Sequence, residues 1–310
     1  MEHRGVKILQ RYAMVADLKE SSPWKTLRLL YTTAKIRLGF LIMTCTLAGI
    51  AASPGRGLST WQIGTLSLAV LLASGTAGVF NQLYERALDA RMVRTRNRPF
   101  VIGRFQAGGH WLVALALTLL LALTAVALAT NLLAASFVFL GAFIYGVIYT
   151  VWLKRRTWWN IVIGGLAGSF AVLAGAAAAD SLLAPAPLLL AMVLFLWTPP
   201  HFWALAYAHK RDYQAAGIPM LPVLVEDRVC TRVILAHVIA LVLLSLAPAF
   251  YGMGWLYVTG AVIGGVHFLW TSWRLEQAPS IQQASRVFAA SIIQLGLLLT
   301  SAILDKAVLR

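Results

Sequence analysis

The sequence predicts an all-α, polytopic membrane protein with nine transmembrane helices, arranged as two parallel four-helix-like halves plus a last helix. Three observations predict it. The 310-residue chain is 60% hydrophobic and only 12% charged. Asp, Glu, Lys and Arg are absent from long stretches at 38–55, 57–84, 105–153, 157–179, 181–209, 233–273 and 287–304. Of the 26 Lys and Arg, all but Arg56, Lys306 and Arg310 fall in segments on one side of the predicted bundle. Strand-like alternation is missing. Backbone polar groups in lipid must be bonded within their own segment, so a helical bundle follows.

The elements come in order. A spanning helix takes about 20 mostly apolar residues. The runs 38–55 and 57–84 hold one helix each. The run 105–153 holds two, with Thr130-Asn131 as the break. The runs 157–179 and 181–209 hold the fifth and sixth. Pro199-Pro200 removes two amide donors from the sixth and should kink or interrupt it. The run 233–273 holds two more, broken near Gly252-Met253-Gly254, and 287–304 is the ninth. The bias of Lys and Arg puts the N-terminus in the cytoplasm and the C-terminus outside, with the chain in the cell (inner) membrane.

Residues 1–36 form a cytoplasmic N-terminal segment, and residues 37–305 a single intramembrane domain. The segment mixes Glu2, Asp17 and Glu20 with basic residues. It lacks a signal-peptide apolar core, and its acids argue against a mitochondrial transit peptide. The net charge of +15 is mostly topogenic. No basic soluble domain is there to bind nucleic acid. Cys45 falls in the first helix and Cys230 in a cytoplasmic loop, so a disulfide is not expected. The two longest internal loops follow the second and sixth helices. Four helices separate them, so both face the cytoplasm, as in a parallel repeat.

The first of these loops begins with chemistry. Asn81, Glu85 and Asp89 stand at i, i+4 and i+8 where an apolar run ends. On a helix they share one face, drifting about 40° per step. Ionisable groups at such a place suggest function. One carboxamide and two carboxylates suit Mg²⁺, which completes its shell with phosphate oxygens and water. Arg86, Arg91, Arg94, Arg96, Arg98 and Arg104 follow or interleave. Together they read as a magnesium–diphosphate site, or as a solvated helix end with topogenic arginines.

Two further segments carry similar alternatives. Lys154-Arg155-Arg156 end the fourth helix, where dipole and topology alone favour cations; Lys154 and Arg155 also suit diphosphate oxygens. His201 follows the Pro-Pro pair between aromatics, as a ligand or substrate contact or as a packed histidine. Asp212 and Tyr213 come near the water boundary. The segment 214–229, with Gly217, Pro219 and Pro222, reads as a mobile lid or an ordinary loop.

Taken together, these segments resemble the UbiA-type intramembrane prenyltransferases. The resemblance rests on Asn81-x3-Glu85-x3-Asp89 with Met92-Val-Arg94-Thr95-Arg-Asn-Arg98-Pro99, and on Leu153-Lys-Arg-Arg-Thr157 with Asn160-Ile-Val-Ile-Gly-Gly165. It rests also on Pro199-Pro-His-Phe-Trp-Ala-Leu-Ala206 and Asp212-Tyr-x-Ala-Ala-Gly-Ile-Pro-Met-Leu-Pro222. It covers about residues 30–305 and is closest to the protoheme IX farnesyltransferase (heme O synthase) branch. Two departures stand out. Glu85 takes a place where the superfamily often has Asp. The usual second Asp-x3-Asp is missing, since Ala216 follows Asp212 by four residues.

The resemblance implies farnesyl transfer from farnesyl diphosphate to the vinyl group of heme b, giving heme O and diphosphate, with heme b as substrate rather than cofactor. It implies Mg²⁺ on Asn81, Glu85 and Asp89, and a catalytic set of Asn81, Glu85, Asp89, Lys154 and Asp212. Arg94, Arg98, Arg155, His201 and Tyr213 are implied as substrate-binding. Tyr145, Tyr149, Trp197, Phe202 and Trp203 are the aromatics available to a dry chamber that shelters an allylic cation. The implied partners are the two substrates, the lipid bilayer, and a downstream heme-modifying enzyme or terminal oxidase assembly. Competing readings are the same chemistry on an aromatic quinone precursor, a secondary transporter using Asn81 and Asp89, and a non-catalytic assembly factor.

Overall fold

The computed structural model describes residues 22–309. Residues 1–21, and with them most of the expected N-terminal segment, lie outside the described residues. Among the described residues there are helices and no strands.

The chain enters through α1 (Pro23–Thr33) and α2 (Ile36–Ala51), a pair bent by 50°. Lys35 makes the corner with φ 50 and ψ 43, left-handed backbone that a non-glycine residue rarely adopts. Such backbone costs about 1–2 kcal/mol. The neighbouring helix α3 (Thr60–Asp89) holds the corner in place. Gln82 Nε2 donates to the Thr33 carbonyl at 3.0 Å. A Cβ at Gly78 would lie 3.1 Å from the Ala34 oxygen, so glycine there lets the corner sit close.

The 30-residue α3 spans roughly 45 Å. Ser59 and Gln62 form a reciprocal capping box at its start, which fixes where the helix begins and so where its far end delivers side chains. Gln62 Nε2 also donates to the Ala129 carbonyl at 2.8 Å, tying α3 to the end of α4 (Gly109–Ala129). The expected break follows: Asn131 caps α5 (Leu132–Phe143), accepting from the Ala134 amide at 2.8 Å. The helix then widens to π geometry over Ile144–Leu153.

Next come α6 (Asn160–Gly164), α7 (Leu166–Ala178) and α8 (Pro185–Ala208). Helices α2 and α7 cross closely because each presents glycine to the other's backbone. A Cβ at Gly49 would lie 2.1 Å from the Val172 oxygen, and one at Gly175 2.2 Å from the Thr46 oxygen. Small residues at crossings are how helices pack in lipid. Two short helices, α9 (Lys210–Ala215) and α10 (Leu221–Leu224), precede α11 (Asp227–Leu246), a 3₁₀ turn, α12 (Trp255–Gln277) and α13 (Ile281–Leu309). Asp305 on α13 accepts the Gly254 amide at 2.7 Å and the Tyr257 amide at 3.3 Å, so one helix caps its neighbour's start.

The interior and exterior are sorted as lipid demands. Leu121, Leu128, Leu243 and Phe250 point outward, while Asn81, Gln82, Glu85, Asp89 and Asn160 are buried. This is a multi-pass membrane protein. Seven helices among the described residues are long and apolar enough to cross, or eight if the bent pair is one span. The 23-residue α12 is long enough, but its glycines, His267 and indoles lower its hydropathy, so nine crossings are not established.

Three expectations need correction. The helix α8 continues through Pro199 and Pro200, so the prolines do not interrupt it. The prolines remove amide donors to the Phe195 and Leu196 carbonyls, yet flanking bonds and packing hold the helix, and Thr198 Oγ1 donates to the Leu194 carbonyl at 3.0 Å. Cys230 lies buried inside α11 rather than in a loop; both cysteines are free. The 214–229 segment is not simply a loop: it holds α10 and the start of α11, and Ile218 and Met220 are each 1% exposed, within the main core.

Candidate functional site

The end of α3 places Asn81, Glu85 and Asp89 on one buried face. The π-wound segment lies beside it. Its backbone bonds close five residues apart, as from the Lys154 amide to the Tyr149 carbonyl at 2.9 Å, and bring residues four apart nearly into register; Thr150 Oγ1 also donates to the Tyr145 carbonyl at 2.8 Å. Tyr145 and Tyr149 therefore stack, with centroids 5.6 Å apart and planes 18° apart.

Each carboxylate meets a cation. Lys154 Nζ donates to Glu85 Oε2. Arg98 Nη1 donates to Asp89 Oδ2 at 2.6 Å. Asn81 Nδ2 donates to Glu85 Oε2 at 2.9 Å and to Thr150 Oγ1 at 3.1 Å. Its oxygen accepts from Lys35 Nζ at 2.9 Å, and the same ammonium donates to the Tyr145 hydroxyl at 2.8 Å. The arginine loop is braced from both ends. Thr95 Oγ1 donates to the Asp89 carbonyl at 3.0 Å, and the Arg94 amide donates to Asp212 Oδ2 at 3.3 Å. That bond brings the two long polar segments to the same membrane face, as expected. Tyr213 faces Arg94, and burial pushes its phenol above the usual range, so the hydroxyl keeps its proton.

These groups surround a chamber lined by Lys35, Asn81, Arg94, Arg98, Tyr145, Tyr149, Lys154, Phe202 and Tyr213, among others. An apolar cavity adjoins it, walled by Leu38, Ile42, Val70, Ala73, Phe137 and Val138, with Lys35, Leu38 and Tyr145 common to both.

Not every expected residue lines the chamber: Glu85 and Asp89 lie behind its wall, bonded to the lining residues Lys154 and Arg98. Arg155 is exposed and lies 6.0 Å over the Tyr84 ring. Asp212 lines a separate hollow with His209, Lys210 and Asp227. His201 is stacked between Trp197 and Phe288 at 4.2 and 4.5 Å, with Nδ1 2.6 Å from Ser291 Oγ. Trp203 is buried against Trp158 and His237. The residue that sequence reasoning missed is Lys35. Its only sequence signal was position just ahead of the first apolar run, which the positive-inside rule already accounts for.

The donor set fits a hard divalent cation. Glu85 Oε1 is buried and has no hydrogen-bond partner, an acceptor left over beside Asn81. No cluster of three or more His, Cys, Asp or Glu exists among the described residues. A metal held by Asn81, Glu85 and Asp89 would therefore draw the rest of its shell from phosphate oxygens and water.

Comparison with known proteins shows the family and the fold. A model of the UbiA prenyltransferase family matches residues 42–293. The chain is 52% identical to protoheme IX farnesyltransferase 2 of Paramagnetospirillum magneticum, over 90% of this chain and 97% of that one. It is 38% identical to the protoheme IX farnesyltransferase of Parvibaculum lavamentivorans, over 88% and 86% of the two chains. Among solved structures, the fold is similar to a digeranylgeranylglyceryl phosphate synthase, with TM-score 0.74 and 17% identity over 91% and 99% of the chains. It is also similar to a UbiA homolog from Archaeoglobus fulgidus bound to GPP and Mg2+, with TM-score 0.67 and 14% identity over 90% and 100%.

Proposed function

The chain belongs to the UbiA prenyltransferase family, and we propose that it transfers the farnesyl group of farnesyl diphosphate to the vinyl group of heme b, giving heme O and diphosphate. The observation that carries this is the 52% identity, over nearly the whole length of both chains, to a protoheme IX farnesyltransferase. The site supplies what such a reaction needs: a chamber lined by several cations, two buried carboxylates paired with two of those cations behind its wall, and an apolar cavity next door.

Asn81, Glu85 and Asp89 would hold Mg²⁺, which when bound neutralises charge on the leaving diphosphate. Lys154, Arg94 and Arg98 offer hydrogen bonds to phosphate oxygens as the C1–O bond breaks and its electron pair goes to the leaving group. The tail lies in the apolar cavity between Leu38 and Phe137. Tyr145 and Tyr149 present ring faces to the allylic cation and help keep water from it. The vinyl carbon attacks that cation, and water completes the hydroxyethyl group with loss of a proton.

On the acceptor side, His201 acts through Phe202. The two rings meet edge to face at 4.9 Å and 84°, and Phe202 lines the chamber. Asp212 and Tyr213 act through Arg94. We further propose that the arginine-loop face is cytoplasmic, that the membrane is the cell inner membrane, and that heme O passes to a heme-modifying enzyme or terminal oxidase assembly.

Incubating purified protein with heme b, farnesyl diphosphate and Mg²⁺, followed by mass analysis of the porphyrin, tests the reading. A porphyrin with one vinyl converted to hydroxyethylfarnesyl, a gain of one farnesyl and one hydroxyl group, is expected. Unmodified heme would overturn it, and a parallel incubation in which an aromatic quinone precursor replaces heme and is prenylated would put the quinone reading in its place.

A further inference from the structure

Lys35 differs from two of the other three cations of the chamber, Lys154 and Arg98. Lys154 and Arg98 are each paired with a carboxylate. Among the described residues, Lys35 has no carboxylate at ion-pair distance, and its two partners, Asn81 Oδ1 and the Tyr145 hydroxyl, are neutral. A partly buried ammonium bonded only to neutral groups is costly unless an anion joins it. An ammonium has three donors, so one remains for that anion.

The backbone points the same way. Lys35 is held at φ 50, and strained positions persist where the surroundings over-determine them. Here the surroundings are on α3. Gln82 holds the Thr33 carbonyl, and Gly78 admits the corner. Gly78 and Asn81 lie three residues apart, on the same side of that helix. The face that seats the corner therefore also presents the carboxamide that receives the ammonium.

The position of Lys35 matches one feature of the substrate. An allylic diphosphate joins an anionic head to an apolar tail at its C1–O bond. Lys35 belongs to the walls of both the polar chamber and the apolar cavity. A cation at that junction lies where the leaving oxygen must sit.

Asn81 Oδ1 is also an oxygen that the metal reading claims. Lys35 and a divalent cation therefore compete for it. We propose that Lys35 is a further diphosphate-binding residue, parked on Asn81 and Tyr145 without substrate, and transferred to the diphosphate oxygens when a divalent cation takes the Asn81 oxygen; this rests on the chamber reading above. Lys35 donates a hydrogen bond and keeps its proton, while the C1–O electron pair goes to diphosphate. Metal and diphosphate should then bind with positive coupling, because the metal frees a cation that the anion needs.

The full chain in detergent, with Mn²⁺ followed by electron paramagnetic resonance and inorganic pyrophosphate by calorimetry, provides the test. Lys35→Met should bind Mn²⁺ alone at least threefold more tightly, since a competitor is gone. It should bind pyrophosphate in the presence of Mn²⁺ at least tenfold more weakly. Lys35→Arg should keep pyrophosphate affinity within threefold. Lys35→Gly, which also relieves the left-handed backbone, should show the same two signs as Lys35→Met and guards against a folding defect. Loss of both affinities in Lys35→Met and Lys35→Gly, or no change in either, would make Lys35 a structural corner only. Asp89→Asn separates the two readings. If it binds Mn²⁺ as wild type does, the metal site itself is wrong and both readings fall. If it loses Mn²⁺ while Lys35→Met changes nothing, only the Lys35 proposal falls.

Discussion

The two long polar segments sit at the same membrane face, yet they are built from different materials. At the end of α3 and in the loop after it, charge is dense and both carboxylates are paired, Glu85 with Lys154 and Asp89 with Arg98, while Thr95 braces the arginine loop. Along α8 and α9 the polar groups are embedded in rings. His201 lies between Trp197 and Phe288, Trp203 against Trp158, and a single carboxylate, Asp212, reaches across to the first segment's backbone. The contrast suggests a division of labour. Under the proposed function, the first segment would handle a multiply charged leaving group, which needs cations and a metal. The second would handle a flat, largely apolar acceptor, which needs surfaces.

The sharpest test of that division is Asp89→Ala. It should lower turnover by roughly 10²–10³ or more, the scale of losing a transition-state stabiliser, while the protein stays inserted and helical. Turnover assays at saturating Mg²⁺, with circular dichroism as the folding control, check this. Near-normal farnesyl transfer would remove the metal from the first segment.

Lys154→Ala should come next, with turnover down about tenfold to a hundredfold through weaker diphosphate contacts. It also leaves Glu85 buried without its cation, which costs about 3–5 kcal/mol. Mg²⁺ should recover part of that loss, so the melting temperature of this variant should rise with Mg²⁺ more than that of wild type. Topology should not invert, because Arg155 and Arg156 remain. Unchanged pyrophosphate affinity and rate would leave Lys154 a topogenic residue.

How far these regions were legible in the sequence differs in the same way. The first was open to reading because helical periodicity alone puts Asn81, Glu85 and Asp89 on one face, and α3 is a regular helix there. The turn between α4 and α5 was legible because Asn131 is a helix cap. Lys35 was not, since its role depends on a left-handed corner and on Asn81, 46 residues away. The π winding of Ile144–Leu153 has no sequence signature, and it is what stacks Tyr145 on Tyr149. In the second segment Pro199-Pro200 misled, because tertiary packing keeps α8 helical where local chemistry favours a break.

His201→Ala should have a smaller effect, on the acceptor side only. Its ring supports Phe202 edge to face, so its loss should lower turnover severalfold at limiting heme while pyrophosphate affinity stays within twofold. An absorption titration with heme, run beside the pyrophosphate titration, reads both. Equal heme affinity and equal turnover would return His201 to a packed helix residue bonded to Ser291. A fall in pyrophosphate affinity would contradict the division between the segments.

The smallest effect should come from Asp212→Asn, and it decides whether the second segment contributes any charge to the reaction. Ala216 stands where a second carboxylate would complete an acidic pair. The one carboxylate present accepts the Arg94 amide at 3.3 Å and lines a hollow outside the chamber. If Asp212 is a latch that positions Arg94, an oxygen acceptor suffices. Asp212→Asn, which keeps that oxygen, should then retain turnover within about threefold of wild type, on the scale of one modest hydrogen bond altered. Asp212→Ala should lose more, with the loss appearing as a raised KM for farnesyl diphosphate because Arg94 is no longer held. A metal ligand would behave otherwise: Asn would lose most of the activity, and higher Mg²⁺ would restore part of it. Steady-state kinetics of both variants across a Mg²⁺ series separate the two, and a Mg²⁺-dependent defect in Asp212→Asn would mean that the second segment shares the metal after all.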